Sequence, residues 1–156
     1  MLKLIIQTTV ILVLAALFYS CKSSNINNKY TKKNYEYMSL EGYYESVDEN
    51  NIIFFLKAER TKINEGEYLP NSENIRLEIF DSEKRLIYNS AHNMNFLQVI
   101  SEVLPMEEGK HHDYEISWNY LTNDGKKITP GNYTAKLTIP AVPNNYSIEI
   151  DFGYQR

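Results

Sequence analysis

The side chains in this sequence that could do chemistry are few, and their spacing limits what they can do. His111-His112-Asp113 is the one cluster with metal-ligand residue types. Adjacent side chains on an extended chain point to opposite sides, so at most one of the two imidazoles could share an ion with a distant third group. Coming after Glu107-Glu108-Gly109-Lys110, the cluster reads as a solvated loop, and no metal or cofactor is assigned. The pairs Glu107/Glu108 and Asp48/Glu49 are chain neighbours in expected loops, where hydrated charge is the default. No Gly-x-Ser-x-Gly elbow or triad context surrounds any serine, and none of the 6 glycines forms a phosphate-cradling loop. The reading is therefore a non-enzyme with no catalytic residues. Trp118 is the one indole, and it shares a period-two face with Tyr114, Ile116 and Tyr120, which predicts a core aromatic rather than a sugar-stacking ring.

Cys21 is the one cysteine of the 156 residues. Met1 to Lys3 make a short positive start, Leu4 to Tyr19 an apolar run, and Ser20-Cys21 is followed at once by polar Lys22-Ser23-Ser24-Asn25. This layout resembles the lipobox of bacterial lipoproteins, which implies lipidation at Cys21 and cleavage before it. Phe18 and Tyr19 are bulkier than that pattern prefers. The implied organisation is a signal peptide over residues 1–20, a lipidated flexible tether over 21–37 and a folded domain over 38–156. An uncut single-pass anchor is the competing reading of the apolar run. Location follows as the bacterial cell envelope, lipid-anchored and facing the periplasm of an outer membrane.

The formal charge of −4 makes nucleic acid a poor partner. Hydrophobic residues at 43% suffice for one core in a chain with room for one ordinary domain. The 13 tyrosines are assigned to half-buried strand positions.

Strands must position whatever functional groups exist, because apolar residues recur at period two in short runs bounded by turn formers. Ile52, Phe54, Leu56 and Ala58 share one side of Asn51 to Glu59, with Ile53 and Phe55 covered on the other. Ile75, Leu77 and Ile79 lead into the turn Asp81-Ser82-Glu83-Lys84, and Leu86 to Tyr88 returns as a hairpin. Tyr114 to Tyr120, Tyr133 to Ile139 and Ile148 to Tyr154 complete the pattern, and Asn93 to Glu102 is the one stretch that could form a short helix. The fold class is all-β, an immunoglobulin-like antiparallel sandwich of about seven strands. In Pro130-Gly131-Asn132-Tyr133, Pro sets the first turn dihedral, Gly is expected in the left-handed position, and Tyr133 opens a strand whose hydroxyl folds back to backbone at the corner.

Tyr114-Glu115-Ile116-Ser117-Trp118, followed by Asn123-Asp124-Gly125-Lys126-Lys127-Ile128-Thr129-Pro130-Gly131-Asn132-Tyr133, resembles the strand, turn and strand of the intracellular proteinase inhibitor (BsuPI-type) domain. Flagellar hook-capping proteins carry a similar ending. Leu77 to Tyr88 resembles the family's hairpin, with Glu83-Lys84 where glycine is usual and Tyr88 where tryptophan is. The resemblance implies the sandwich and carries over no contact residue. Two functions stand side by side: a non-catalytic, membrane-anchored envelope module that binds a protein or glycan partner, and, as the alternative, a proteinase inhibitor that acts through an exposed loop.

Overall fold

The computed structural model describes residues 30–48 and 50–155. They form eight strands: β1 (Thr31–Asn34), β2 (Met38–Ser46), β3 (Ile52–Arg60), β4 (Arg76–Phe80), β5 (Leu86–Asn89), β6 (His111–Trp118), β7 (Gly131–Ile139) and β8 (Tyr146–Tyr154). Two antiparallel sheets result, ordered β1-β2-β3-β6 and β5-β4-β7-β8. No helix forms among the described residues. The all-β sandwich is as read from the sequence, with eight strands in place of about seven.

Alternation of side chains turns each strand into two faces, and burying one face of each sheet against the other makes the core. Ile52, Phe54, Leu56 and Ala58 of β3 point inward, as do Leu77 and Ile79 of β4. Tyr133, Ala135, Leu137 and Ile139 of β7, with Ile148, Ile150 and Phe152 of β8, complete the apolar layer. On the outer face Phe55 stacks on Tyr43 across the β2–β3 pair, with centroids 4.8 Å apart. At Gly42 the sheets approach closely: a Cβ there would sit 2.9 Å from Ile150 Cδ1 and 3.2 Å from Ile148 Cγ2. Only glycine admits that approach without displacing the neighbours.

Four sequence expectations are corrected and one strand is added. The tether does not run to residue 37, because Thr31–Asn34 pairs with β2 as an edge strand, its side chains mostly exposed. Such an edge is held by main-chain bonds and leaves no apolar alternation to read, and its lysines suit an open edge. Strand β2 was also unread, because Gly42 interrupts the inward series Met38, Leu40, Tyr44. The segment Asn93 to Glu102 is not helical: Leu97 and Ser101 direct their main-chain groups to Ser72 and Leu69. His111-His112-Asp113 is not a loop but the start of β6, paired with β3 through Glu59↔His111. Gly131 does not take the left-handed position, because it is already in the β7–β8 ladder opposite Tyr154.

The left-handed position of the β4–β5 turn falls to Lys84, at φ 61°. Asp81 organises this turn: its Oδ1 accepts from the Glu83 and Arg85 amides, and its Oδ2 receives Arg85 Nε at 2.7 Å. A non-glycine residue in that backbone region costs on the order of 1 kcal/mol. Lys84→Gly should therefore raise stability by about 0.5–1 kcal/mol, seen as a higher urea midpoint with an unchanged slope.

Candidate functional site

One end of the sandwich gathers the β3–β4 connection (residues 61–75), the β5–β6 connection (90–110) and the turn between β7 and β8. Of the exposed large apolar side chains, Met94, Leu97, Val99, Ile100, Leu104 and Met106 all lie in the β5–β6 connection. Ile63, in the β3–β4 connection, lies at the same end beside Met106, and Tyr30, Val47 and Leu86 are scattered. Concentrated apolar exposure on one segment marks an interaction surface, whereas single exposed residues do not.

The segment is apolar outside and firmly held at its base. Ser72 donates its amide to the Leu97 carbonyl at 3.0 Å, and its Oγ accepts the Leu97 amide at 3.0 Å. Leu69 and Ser101 exchange both main-chain bonds, at 2.8 and 3.2 Å. Three successive carbonyls are then captured from inside the protein: Arg60 donates to Val103 O at 3.1 Å and Pro105 O at 2.8 Å, and the Tyr114 hydroxyl donates to Leu104 O at 2.9 Å. Val103 and Pro105 are buried as plugs.

Arg60 is the centre of this base. Period-two alternation from Ile52 through Ala58 carries it to the inward face of β3, where it is 3% exposed. Its Nη2 meets Glu67 at 2.7 Å, and Glu67 also accepts from the Tyr146 hydroxyl and from Asn64 Nδ2 at 3.1 Å. Arg60 Nη1 is buried with no hydrogen-bond partner among the described residues. The arrangement ties β3, the β3–β4 connection, β8 and the loop base into one polar network inside an apolar end. Burial pushes the Tyr114 hydroxyl up to about 12. Burial, reinforced by the Glu67 carboxylate that its proton bonds, does the same to Tyr146.

The opposite end carries an open cleft of about 360 Å³ between the β4–β5 turn and the β6–β7 connection, lined by Asp81, Arg85, Lys126, Lys127 and Thr129 to Tyr133. Two of its cations are engaged, Arg85 with Asp81 and Glu83 and Lys127 with Asn50. Pro130, Gly131 and Tyr133 sit here, with the Tyr133 hydroxyl donating to Thr129 O at 2.6 Å. Trp118 is 2% exposed, donates from Nε1 to Leu121 O at 2.8 Å and meets Tyr88, Tyr120 and Phe152. Phe152 is the ring that Trp118 and Tyr133 share.

The remaining sequence candidates do not converge. His111 and Asp113 lie exposed on the outer side of β6, while His112 turns the other way and meets the Tyr114 ring edge-on at 4.5 Å. Among the described residues no group of three His, Cys, Asp or Glu side chains is placed to hold a metal. Glu108 accepts the Ile63 amide at 3.2 Å, and Asp48 caps the β2–β3 turn through the Asn50 amide, the bond that holds its carboxyl below the usual range. Glu49 and Cys21 lie outside the described residues. Sequence reasoning missed Arg60 and the apolar loop. The available signals were an arginine one step beyond an inward series, and an apolar stretch of neither helical nor strand period with no Lys or Arg between Arg85 and Lys110.

The family model described as BsuPI, intracellular proteinase inhibitor, matches residues 41–144, two thirds of the chain. No curated protein matches. Among solved structures, beta-glucosidase 3B from Thermotoga neapolitana, in complex with glycerol, is similar at 11% identity and a TM-score of 0.42. The similarity covers 83% of this chain and 16% of that one, so the chain spans about a sixth of the enzyme's length. The family match corrects the expected location: a family described as intracellular conflicts with a lipid-anchored molecule of the cell envelope. That expectation rested on the hydropathy of residues 4–19 and on Cys21, which lie outside both the matched and the described residues. The same match favours the inhibitor reading over the membrane-anchored binding module.

Two measurements probe the loop base. Removing one partner of a buried ion pair strands the other, so Arg60→Met should destabilise by about 3–5 kcal/mol, with much of the loss recovered in Arg60→Met/Glu67→Leu. A tyrosine whose folded-state value is raised keeps its proton where the unfolded chain has released it. Its contribution is complete below about pH 10 and disappears as pH climbs toward 12, at up to about 1.4 kcal/mol per pH unit. Urea midpoints of Tyr114→Phe should accordingly fall less steeply between pH 10 and 12 than those of the unaltered protein.

Proposed function

Given that this chain belongs to the intracellular proteinase inhibitor (BsuPI) family, we propose that it is a proteinase inhibitor acting through the connection between β5 and β6. The observation that carries the reading is an exposed apolar segment whose two flanks are fixed: Leu97 by Ser72, Ser101 by Leu69, and the three carbonyls after Glu102 by Arg60 and Tyr114.

A proteinase cleft binds its substrate as an added extended strand, with main-chain bonds supplying affinity and pockets for side chains supplying choice. A segment already held in one shape loses little conformational entropy on docking, which favours tight association. The same flanking bonds oppose the movement that would carry cut ends apart. Inhibition of this kind needs no catalytic group or cofactor of its own, in keeping with a family of inhibitors rather than enzymes. Arg60 is a positioning residue here: it touches no partner and shapes the segment from within.

The full-length protein, titrated into a panel of serine proteinases, should abolish the activity of at least one at near-equal molar amounts. Replacing Gln98-Val99-Ile100 by Gly-Ser-Gly should weaken that inhibition by roughly 100-fold or more, given that a few anchors dominate such interfaces. Equal potency of the two proteins would move the inhibitory surface elsewhere, and no inhibition by either would reject the function.

A further inference from the structure

Within the segment, the main-chain groups are not equally available. The Leu97 amide and carbonyl are both engaged by Ser72, and the Ser101 amide and carbonyl by Leu69. The Val99 amide turns back onto the Leu97 carbonyl at 2.9 Å. Ile100 makes no hydrogen bond through either main-chain group among the described residues, and its side chain, 77% exposed, projects furthest of the exposed large apolar residues. Leu97 follows at 70% with its backbone already committed.

The residue that fills a proteinase's primary pocket must satisfy two conditions at once. Its side chain has to be free to leave water, and its own amide and carbonyl have to pair with the cleft and reach the oxyanion donors. Leu97 meets the first condition only, whereas Ile100 meets both. Resting on the inhibitory reading above, we infer that Ile100 is the specificity-determining residue that enters the primary pocket of the target, and that this pocket is uncharged and apolar. Charge on the loop points the same way. No Lys or Arg occurs between Arg85 and Lys110, and the charged residues following Ile100 are Glu102, Glu107 and Glu108. An acidic pocket floor finds no cation here to pair with and meets several like charges.

Pancreatic elastase and chymotrypsin supply apolar pockets for the test and trypsin an acidic one, with the full-length protein, Ile100→Ala, Ile100→Lys and Leu97→Ala compared by inhibition constant. The unaltered protein should inhibit an apolar-pocket enzyme more strongly than trypsin. Ile100→Ala should lose roughly 30-fold, the value of removing most of one buried aliphatic side chain. Ile100→Lys should reverse the preference toward trypsin, a gain that a merely structural role would not produce, and Leu97→Ala should change potency by less than Ile100→Ala does. If the unaltered protein inhibits while both Ile100 variants keep its potency and preference, the assignment of Ile100 is overturned and the inhibitory function stands. Absence of inhibition by every form overturns both.

Discussion

The end of the molecule that matters for the proposed function depends on one buried guanidinium. Arg60 is the last residue of an otherwise apolar inward series, and its charge would be intolerable there without Glu67 at 2.7 Å and the carbonyls of Val103 and Pro105. Those carbonyls belong to a stretch with no regular secondary structure, so the same bonds that make the charge tolerable also shape the loop. Glu67 in turn binds the Tyr146 hydroxyl on β8, in the opposite sheet. A polar network thus joins both sheets to a connection that the hydrophobic effect alone would leave undirected, because apolar attraction has no orientation of its own.

The distribution of apolar side chains separates stability from function. Inside, Phe152 meets Trp118, Tyr133 and Phe54, with the aliphatic residues of β3, β4, β7 and β8 closing the layer. Outside, aliphatic and methionine side chains stay in water along one connection, at a hydration cost that a stable monomer has no folding reason to bear. The two populations differ in backbone context. Most core residues sit on strands paired within the two sheets, whereas Ile100 keeps its main chain open between two fixed points. Rigid flanks around an unengaged centre are what an added-strand interaction with a cleft requires.

The other end of the sandwich is built from turn chemistry. Asp81 gathers the Glu83 and Arg85 amides and the Arg85 side chain, which is enough to hold Lys84 in a backbone region that favours glycine. Tyr133 reaches back four residues to Thr129, closing the corner into β7. In the cleft between these turns, Arg85 and Lys127 are engaged by neighbouring acceptors.

Two antiparallel layers, most of the strands and their inward faces were determined by the sequence, because a period of two is a local property that any half-buried strand must display. Strands β1 and β2 escaped for physical reasons: an exposed edge needs no apolar face, and a glycine where two sheets touch removes the side chain that would have marked the alternation. A glycine's type likewise did not reveal whether it served a turn or a ladder, and at Gly131 it was the ladder. The apolar stretch from Met94 to Met106 was visible as composition, but helix, strand and loop were all open to it. Only the tertiary structure decided, since the partners of its main chain, Leu69, Ser72, Arg60 and Tyr114, come from distant parts of the chain and meet at one end only after the sheets have packed.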